Sequence, residues 1–591
     1  MESRDDWSPA KAGQPKTNAK AFSKSTALKG AARGGKKRPA EIGAFDDRDK
    51  ATPEELGDQE RFQFSPDDSS TGGGGPGGGP RALAGWNRTG EAKKKYTGGK
   101  RSGQDGVRRK PQTRNVRREK GDRPYSGQPS SKFPVLRARS LASGPGLPDG
   151  REFEDERELA RMVEAAGGGG EPLQVAVLHD RSVKELLAEA EAMGVRDGAA
   201  PSRRSLVEKI IRAAGEARRP VVDEGILFVA HEGHGFVVRR QNDYQLQGED
   251  PYVAPALIRR YGMRPGQSVR VLIRPSAKGE RCPAALAVLK VMGEDPESAS
   301  KLPRFENLVP YYPLERILLE KVRTDGRPDI SMRVIEILSP IGFGQRGLIV
   351  APPRAGKTLL LQKIAESVAT NTPEATLIVL LVDERPEEVN EFRRRGHGEV
   401  ISSTFDEPPE RHVQVAEIVF EKSRRLLEAG KDVVILLDSI TRLVRAHNAL
   451  IISDGRVLSG GVEVTALHEP KRFFGSARNI EGGGSLTILA TASVGTGSRM
   501  DEVIFEEFQG TGNMELHLDS ELVGKRIFPA INIEKTGTRK EELLYSPDEA
   551  EKIYSLRRAM QGVPMDEAME MFIQRLEKTE TNAEFLMNVN R

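Results

Sequence analysis

The chain has 591 residues, of which 37% are hydrophobic and 30% are charged, and its apolar runs fall short of the ~20 residues that a membrane span requires. This length predicts several domains, and the composition predicts no membrane partner. The single cysteine, Cys282, excludes an intramolecular disulfide and a multi-cysteine zinc site. The first ten residues carry no apolar core behind their charges, so we expect no secretory signal and a cytoplasmic protein.

The charge of the chain is divided unequally. Residues 1–150 hold 31 Lys and Arg against 18 Asp and Glu, a net charge of +13, whereas the remainder holds 60 against 69, a net charge of −9. Sparse apolar residues without a sustained period predict that residues 1–170 are a disordered, basic, glycine-rich extension. Its cations are densest in residues 93–120. Since Lys and Arg displace counterions from phosphates, this segment is either a solvated linker or an auxiliary RNA-binding arm.

Two small domains are predicted ahead of residue 296. Apolar residues at helical spacing in residues 183–193, and a second helix capped by Ser205, indicate an N-terminal helical subdomain over residues 171–218. Short β-type runs separated by Gly, Asn, Asp and Pro follow in residues 219–295. About five such strands in so short a segment favour a β-barrel of the OB or cold-shock type.

The C-terminal segment, residues 296–591, has the pattern of an α/β domain. Continuous apolar runs alternate with helical stretches, which is typical of strands buried on both faces of a parallel sheet. The runs are Leu348–Val350, Leu377–Val382, Val433–Leu437 and Leu486–Ala490.

A phosphate-binding loop is predicted at Ala351–Thr358, between one of these strands and a helix. Backbone N–H groups and the helix N-terminus would hold the phosphates of a nucleotide. Lys357 would reach the β and γ phosphates, and the Thr358 hydroxyl would bind Mg²⁺. Asp438, at the end of an apolar strand, is the predicted second Mg²⁺ ligand.

Glu384 is the predicted general base, because hydrolysis needs a carboxylate that orients the attacking water. The next residue, Arg385, is a candidate sensor of the nucleotide. Arg526 and Arg539 are candidates to reach the γ phosphate of a neighbouring subunit if the protein forms a ring, and ordinary surface cations if it does not.

From about residue 173 to its end, the chain resembles the Rho family of bacterial transcription termination factors. The residues that carry the resemblance are Pro340–Gly347, Ala351–Thr358, Asp383–Val389, Leu437–Arg442, Pro470–Gly475, Glu506–Glu515 and Gly537–Glu542. The resemblance implies a homohexameric ring of RecA-like ATPase domains that hydrolyse ATP with Mg²⁺ between subunits. It also implies translocation along single-stranded RNA, RNA–DNA helicase activity and release of transcripts from an RNA polymerase elongation complex.

The resemblance also assigns nucleotide contacts. Arg539 is similar to an arginine finger supplied across the subunit interface, and Phe528 to a residue that stacks on adenine. Further nucleotide-binding positions are Gly342, Phe343, Gly344, Gln345, Arg346, Gly347, Arg354, Ala355, Gly356, Lys357, Thr358, Leu359 and Arg385.

Two RNA sites are implied in the same way. The RNA-binding residues implied in the barrel are Gly233, His234, Gly235, Phe236, Val237, Val238, Asp250, Pro251, Tyr252, Glu280, Arg281 and Cys282. Here His234 and Cys282 stand where the family normally has aromatic residues. His234 can still stack on a base, whereas Cys282 weakens one stacking platform, so we expect a base preference that differs from that of the family. In the channel of the ring the RNA-binding residues are Arg456, Val457, Leu458, Ser459, Gly460, Gly461 and Arg499.

Three other functions are compatible with parts of the sequence. A rotary-type ATPase subunit would share the phosphate loop but lack an RNA-binding barrel. A non-catalytic RNA-binding scaffold would use ATP only to assemble, and a DNA strand-exchange ATPase would prefer DNA to RNA.

Overall fold

The computed structural model describes residues 142–143, 145–195, 202–321, 326–451 and 455–589. Residues 1–141 lie outside the described residues. The predictions that the extension is disordered and binds RNA therefore fall outside them for this part of the chain. From residue 145 onward the chain has defined elements.

The segment just before residue 170 differs from the sequence prediction of disorder. It contains a 3₁₀ turn at Gly150–Phe153 and helix α1 at Glu156–Ala166. Asp155 caps α1 by accepting a hydrogen bond from the backbone N–H of Arg157 at 2.9 Å. Phe153 and Leu159 are buried in the same core as the barrel, and this burial offsets the entropy of ordering a polar segment.

Three helices occupy the segment predicted to be a helical subdomain. They are α2 (Val175–Asp180), α3 (Val183–Ala192) and α4 (Arg203–Glu216). A capping box joins Ser182 and Glu185 at the start of α3. The cap of α4 is Ser202, which accepts from the Ser205 N–H, so the predicted cap at Ser205 is wrong and Ser205 lies in the first turn.

The predicted barrel is confirmed. Its sheet runs in the order β1-β2-β3-β4-β6-β5 and closes through a second pairing between β2 and β5. Neighbouring strands are antiparallel except for β1 with β2 and β4 with β6. Helix α5 (Pro255–Arg260) lies between β4 and β5. The strands are β1 (Leu173–Gln174), β2 (Val221–Val229), β3 (Gly235–Val238), β4 (Tyr252–Val253), β5 (Ser268–Arg274) and β6 (Ala284–Val291).

The α/β domain is built on a sheet in the order β10-β9-β11-β13-β8-β14-β15. All pairs from β10 to β14 are parallel, and β15 adds an antiparallel edge. Short strands β7 and β12 continue antiparallel from the start of β13. The strands are β7 (Pro310–Tyr311), β8 (Arg346–Ala351), β9 (Thr376–Glu384), β10 (Glu399–Thr404), β11 (Val433–Asp438), β12 (Arg478–Ile480), β13 (Ser485–Ser493), β14 (Met514–His517) and β15 (Gly537–Thr538).

Helices cover both faces of this sheet, as the continuous apolar runs predicted. Successive residues of β8 alternate between two cores, since Leu348 belongs to one and Ile349 to the other. The helices are α6 (Pro296–Ala299), α7 (Ile330–Leu338), α8 (Lys357–Asn371), α9 (Pro386–Arg395), α10 (Pro409–Glu428), α11 (Ile440–Leu450), α12 (His468–Gly475), α13 (Arg499–Gln509), α14 (Ser520–Gly524), α15 (Pro547–Met560), α16 (Met565–Leu576) and α17 (Asn582–Asn588).

The barrel is joined to α10 by close contacts. Gly266 of the barrel has a φ of +85°, and a Cβ built there would lie 2.4 Å from the backbone carbonyl carbon of Glu421. The buried carboxylate of Glu428 accepts from Arg264 Nη1 of the barrel and from the Phe305 backbone N–H, each at 2.8 Å. These contacts fix the barrel against one helix of the α/β domain.

No helix among the described residues is both long enough and apolar enough to cross a bilayer.

Candidate nucleotide and RNA sites

The phosphate loop follows β8 and leads into α8, as the sequence predicted. Gly356 is the N-cap of α8 with φ +87°, and Arg354 also has a positive φ of +64°. A Cβ at Gly356 would meet nothing within 4 Å, so the loop is open on the side where a phosphate would approach. The backbone N–H groups at the start of α8 therefore have space for an anion. Leu359, also predicted to line the nucleotide, is exposed one turn into the helix.

Three predicted catalytic side chains meet at the carboxyl edge of the sheet. Lys357 Nζ lies 2.6 Å from Asp438 Oδ1 and 3.3 Å from Glu384 Oε1. Asp438 ends β11, and Glu384 ends β9, the neighbouring parallel strand. The carboxyl ends of parallel strands lie at one edge of the sheet, so strand register places both carboxylates beside the loop.

The charges at this edge influence one another. Burial and then the charge of Asp438 raise the pKa of Glu384 above its ordinary value, against the opposing charges of Lys357 and Arg442. Burial disfavours the Lys357 ammonium, but Asp438 and Glu384 outweigh it and raise the pKa of Lys357. Lys357 therefore stays a cation, and Glu384 is a stronger base than an exposed glutamate.

The residues predicted to bind Mg²⁺ fit a hard cation that is shared with a substrate. Asp438 Oδ1 accepts from Thr491 Oγ1 at 2.8 Å, whereas the buried Asp438 Oδ2 has no hydrogen-bond partner among the described atoms. The Thr358 hydroxyl is bonded to Glu388 Oε2 at 2.9 Å. The described residues contain no group of three or more His, Cys, Asp or Glu placed to hold a metal ion. Magnesium held by one or two protein oxygens and by phosphates agrees with this set.

The other predicted nucleotide residues divide between the two ends of β8. Gly342–Gly347 precede or begin the strand, whereas the phosphate loop follows it, and a strand of this length separates its ends by about 16 Å. Gly344 N–H donates to Thr487 Oγ1 at 2.8 Å, and Gln345 Nε2 donates to Asn513 Oδ1 at 2.8 Å. The structure does not bring Gly342–Gly347 to the phosphate loop of the same chain.

Arg539 lies with Gly342–Gly347 at the amino end of β8. It follows β15, and its N–H donates to Asn513 O at 2.8 Å. There Arg346, Arg478 and Arg539 line a cleft of about 430 Å³. Burial, then the nearby charge of Arg539, lowers the pKa of Arg346, and burial followed by Arg346 lowers that of Arg478. No carboxylate of the described residues lies within 4 Å of these three guanidinium groups, so the cleft favours an anion that approaches from outside.

Phe528 and Arg385 lie on the phosphate-loop side. Phe528 is exposed in the segment after β14, where Leu518 N–H donates to Val350 O at the carboxyl end of β8. Arg385 is exposed and caps α9 directly after Glu384. Both side chains are therefore accessible at the edge where Lys357 and Asp438 meet.

The predicted barrel site comes together as a cluster of rings. His234 lies 5.5 Å from Phe236 and 5.4 Å from Tyr252, measured between ring centroids. Tyr252 pairs with Phe236 in one direction and with Ala284, next to the Cys282 segment, in the other. Strand pairing thus joins the three predicted RNA-binding segments.

The same side chains are covered in this structure. Exposure is 6% for His234, 4% for Tyr252 and 1% for Cys282. The segment that covers them precedes α1 and was predicted to belong to the disordered extension.

Some of the predicted barrel contacts cannot be made by side chains in this arrangement. Val237 and Val238 are fully buried barrel core. The Asp250 carboxylate is bound to the buried Arg239 at 2.7 Å, and burial raises its pKa to about 7. Phe236, at 1% exposure, is also part of the barrel core.

The two predicted channel segments contact each other. A 3₁₀ turn at Ser459–Gly461 lies against the first residues of α13. Gly460 has φ +78°, and a Cβ there would lie 2.8 Å from the backbone carbonyl of Arg499. Arg456, Val457 and Arg499 are exposed. The two cations are therefore held on loops that share a packed contact.

Three residues of the nucleotide edge had no role in the sequence predictions. Arg442 lies 3.6 Å from Asp383 and 3.7 Å from Glu384, Thr491 holds Asp438, and Glu388 holds Thr358. The signal for Arg442 is its place one helical turn after Asp438. Thr491 shows no local signal, because the parallel pairing of β13 with β11 brings it to Asp438.

Two family models match the chain. The model described as the Rho termination factor RNA-binding domain matches residues 223–297. The model for the nucleotide-binding domain of the ATP synthase alpha/beta family matches residues 331–537.

Curated proteins named transcription termination factor Rho match most of the chain. The one from Pseudomonas aeruginosa is 51% identical over 416 residues, which cover 70% of this chain and 99% of that protein. The one from Aquifex aeolicus is 50% identical and covers 70% and 95%, and the one from Escherichia coli is 48% identical and covers 70% and 99%. A solved prototypical ATPase from a type III secretion system of pathogenic bacteria aligns with a TM-score of 0.39 at 22% identity, over 44% of this chain and 84% of that chain.

Proposed function

The chain belongs to the Rho family of transcription termination factors, and from this premise we propose that it is an ATP-dependent RNA translocase and helicase that terminates transcription. It acts in the cytoplasm as a homohexamer, binds the nascent transcript and releases it from the RNA polymerase elongation complex. One observation carries the mechanism: the phosphate loop and Arg539 lie at opposite ends of β8.

This separation supports a nucleotide site shared by two subunits. The cationic cleft around Arg539 cannot reach a triphosphate bound at Lys357 of the same chain, about 16 Å away along the strand. In a head-to-tail ring, the cleft of one protomer meets the phosphate loop of the next. Arg539 then stabilises charge on the γ phosphate across the seam, and Gly342–Gly347 contact the same nucleotide from that side.

Within one subunit the carboxyl edge of the sheet supplies the other groups. Lys357 binds the β and γ phosphates, and Thr358 with Asp438 would hold Mg²⁺, which would neutralise phosphate charge. Glu384 accepts the proton of the attacking water, and its raised pKa suits a base that works near neutral pH. Arg442 orients Glu384, and Phe528 stacks on the base.

The connection to RNA follows from chain continuity. Helix α11 begins directly after Asp438 and leads toward the loop of Arg456, while β13 carries Thr491 and leads toward Arg499. Arg445 of α11 is bonded to Asp501 of α13 at 2.6 Å, so the two paths are linked. In this proposal a change at the γ phosphate is transmitted along α11 and β13 toward the two channel loops.

The experiment is ATP turnover by the purified full chain with and without cytidine-rich RNA, with the mass of the assembly measured in parallel. We expect hydrolysis that depends on RNA and a mass of six subunits. Equal turnover without RNA would favour the rotary-type ATPase, and RNA binding without phosphate release would favour the scaffold. Stronger stimulation by single-stranded DNA would favour a strand-exchange ATPase.

A further inference from the structure

The groove that the proposed function assigns to RNA is filled by the protein itself. Residues 142–153, here named the plug, are described except for residue 144 and lie against His234 and Tyr252 of the ring cluster. Ala142, Pro148 and Phe153 of the plug are buried, although the surrounding composition is polar. Burial of separate plug residues along one groove indicates a fitted contact.

Backbone and ring contacts hold the plug at both ends of the groove. The Ala142 carbonyl oxygen lies 2.7 Å from His234 Nε2, and the Gly146 carbonyl accepts from the Arg281 N–H at 2.8 Å. The Phe153 ring lies 6.2 Å from the ring of Tyr252 in a tilted contact, with an angle of 51° between the ring planes, and the exposure of Phe153 is 2%. A base stacked on Tyr252 would need the space that Phe153 occupies.

The end of the plug and the start of α1 are negatively charged, as a nucleic acid is. Residues 149–158 contain six Asp and Glu against two Arg, a net charge of −4. Three of these carboxylates face barrel cations. Glu152 lies 3.3 Å from Arg274, Glu154 lies 3.9 Å from Arg259, and Glu156 lies 3.4 Å from Arg260.

This arrangement reproduces the two kinds of contact by which single-stranded RNA is bound. Such RNA stacks bases on aromatic rings and places phosphates on Lys and Arg. The plug places the Phe153 ring beside Tyr252 and the Glu152 carboxylate beside Arg274. The residues directly after the plug place Glu154 beside Arg259 and Glu156 beside Arg260. RNA and the plug therefore need the same groups and cannot use them together.

We propose that the plug is a built-in competitor of RNA for the barrel, and that transcript binding requires its displacement. This inference rests on the proposed function, because it assumes that the ring cluster is an RNA site. The contacts suit a reversible device. The pairs of Arg259 with Glu154 and of Arg260 with Glu156 are exposed and individually weak. In the third pair Glu152 is half exposed, and Arg274 is also bound to Glu280 at 2.6 Å. Among the described residues, the backbone hydrogen bond between plug and barrel is the one from Arg281 N–H to Gly146 O. The plug therefore raises the RNA concentration that is needed to saturate the RNA site of the barrel.

The first test measures the affinity of the full chain for a short oligocytidylate without nucleotide. Glu152→Gln removes one of the two carboxylates beside Arg274 and should tighten binding about two- to fivefold, the range of a weak ion pair, because Glu152 is half exposed and Arg274 keeps Glu280 as a partner. Phe153→Ala removes the ring from Tyr252 and should tighten binding about tenfold or more. Glu158→Gln is the matched control: it removes the same charge from an exposed position of α1, for which the described contacts include no barrel cation, and should leave affinity unchanged.

Binding that stays the same or weakens in both Glu152→Gln and Phe153→Ala would overturn the competitor role while the proposed function stands. If the wild-type chain and every variant fail to bind RNA, the proposed function itself fails. Because Phe153 is buried, thermal unfolding is recorded for each variant. Glu152 is half exposed, so Glu152→Gln alone decides the question if Phe153→Ala does not fold.

Hydrogen exchange of the wild-type chain gives an independent readout. The Arg281 amide is bonded to Gly146, and α1 begins directly beyond the plug. Oligocytidylate should increase exchange in residues 145–158 while it protects the strands that carry Phe236 and Tyr252. Unchanged or increased protection of residues 145–158 in the RNA complex would show that RNA binds without displacing the plug.

Discussion

The ammonium group of Lys357 is bound to the carboxylate of Asp438, with 2.6 Å between Nζ and Oδ1. The two residues come from the start of α8 and the end of β11, and the second oxygen of Asp438 is buried without a partner. In the proposed mechanism Lys357 turns from Asp438 to the phosphates of the nucleotide, and Asp438 would then be available to hold Mg²⁺. Without nucleotide, the ion pair holds the Lys357 ammonium and the Asp438 carboxylate in position beside the phosphate loop.

Asp438→Asn is expected to lower RNA-stimulated ATP turnover about 100-fold or more, because it removes the anionic oxygen that holds the metal and leaves Lys357 with only Glu384. Steady-state phosphate release over a range of Mg²⁺ concentrations measures this. Asp432→Asn is the matched control at the opposite end of β11. There the Asp432 carboxylate accepts a hydrogen bond from Ser485 Oγ at 2.7 Å, and the amide oxygen of an asparagine can accept the same bond. Equal turnover of the two variants would remove Asp438 from the metal site.

Glu384→Gln is expected to lower turnover by about 10² to 10⁴, the usual contribution of a general base. Because the pKa of Glu384 is raised, the wild-type rate should climb with pH through a midpoint above that of an ordinary glutamate, as the carboxylate loses its proton. The Glu384→Gln variant should lose this rise of the rate with pH. Glu387→Gln, which changes an exposed carboxylate in the first turn of α9, should keep it. Rate–pH profiles at saturating ATP and RNA decide the assignment. An unchanged profile in Glu384→Gln would exclude it.

Arg539→Ala is expected to reduce turnover by about 10³ or more, the typical effect of losing an arginine finger. Arg526→Ala, the other candidate named from sequence, should retain activity because Arg526 follows α14 on the phosphate-loop side.

Mixed rings separate action within a subunit from action across the seam. Co-expression of Arg539→Ala chains with Lys357→Ala chains should restore part of the lost turnover, because some seams then join an intact Arg539 to an intact Lys357. Absence of any recovery in assemblies that contain both chains would mean that the two residues act within one subunit.

Gly460→Ala is expected to abolish RNA stimulation and to leave ATP binding intact. The added methyl would meet the Arg499 backbone at 2.8 Å and push the two channel loops apart. Gly461→Ala is the control, since Gly461 has a similar φ of +81° but its Cβ would meet only Met500 Cε, at 4.0 Å. Nucleotide affinity and RNA-stimulated turnover are measured for both. An equal loss of RNA-stimulated turnover in the two variants would show that backbone strain alone causes the effect.

The α/β domain could be predicted from sequence because its strands are continuous apolar runs and its loop has a fixed spacing. The separation of Gly342–Gly347 from Ala351–Thr358 was also present in the sequence, since the strand lies between them. Contacts made by tertiary pairing could not be predicted in this way. Thr491 reaches Asp438 only through the register of β13 with β11.

The plug was missed for a physical reason. Residues 145–158 are mostly polar and have no helical or strand period before α1, so composition predicts disorder. Their order depends on a partner surface, because Phe153 is buried against the barrel. A segment that is ordered by docking leaves little local signal in its own sequence.

The attachment of the barrel to α10 has a mechanical consequence. With Gly266 pressed against Glu421, and Glu428 bonded to Arg264, the barrel has little freedom to swing on its own domain. In the proposed ring, RNA that is held by the barrel and drawn through the channel would therefore have to form a loop between these two sites. The length of this loop would increase with each step of translocation.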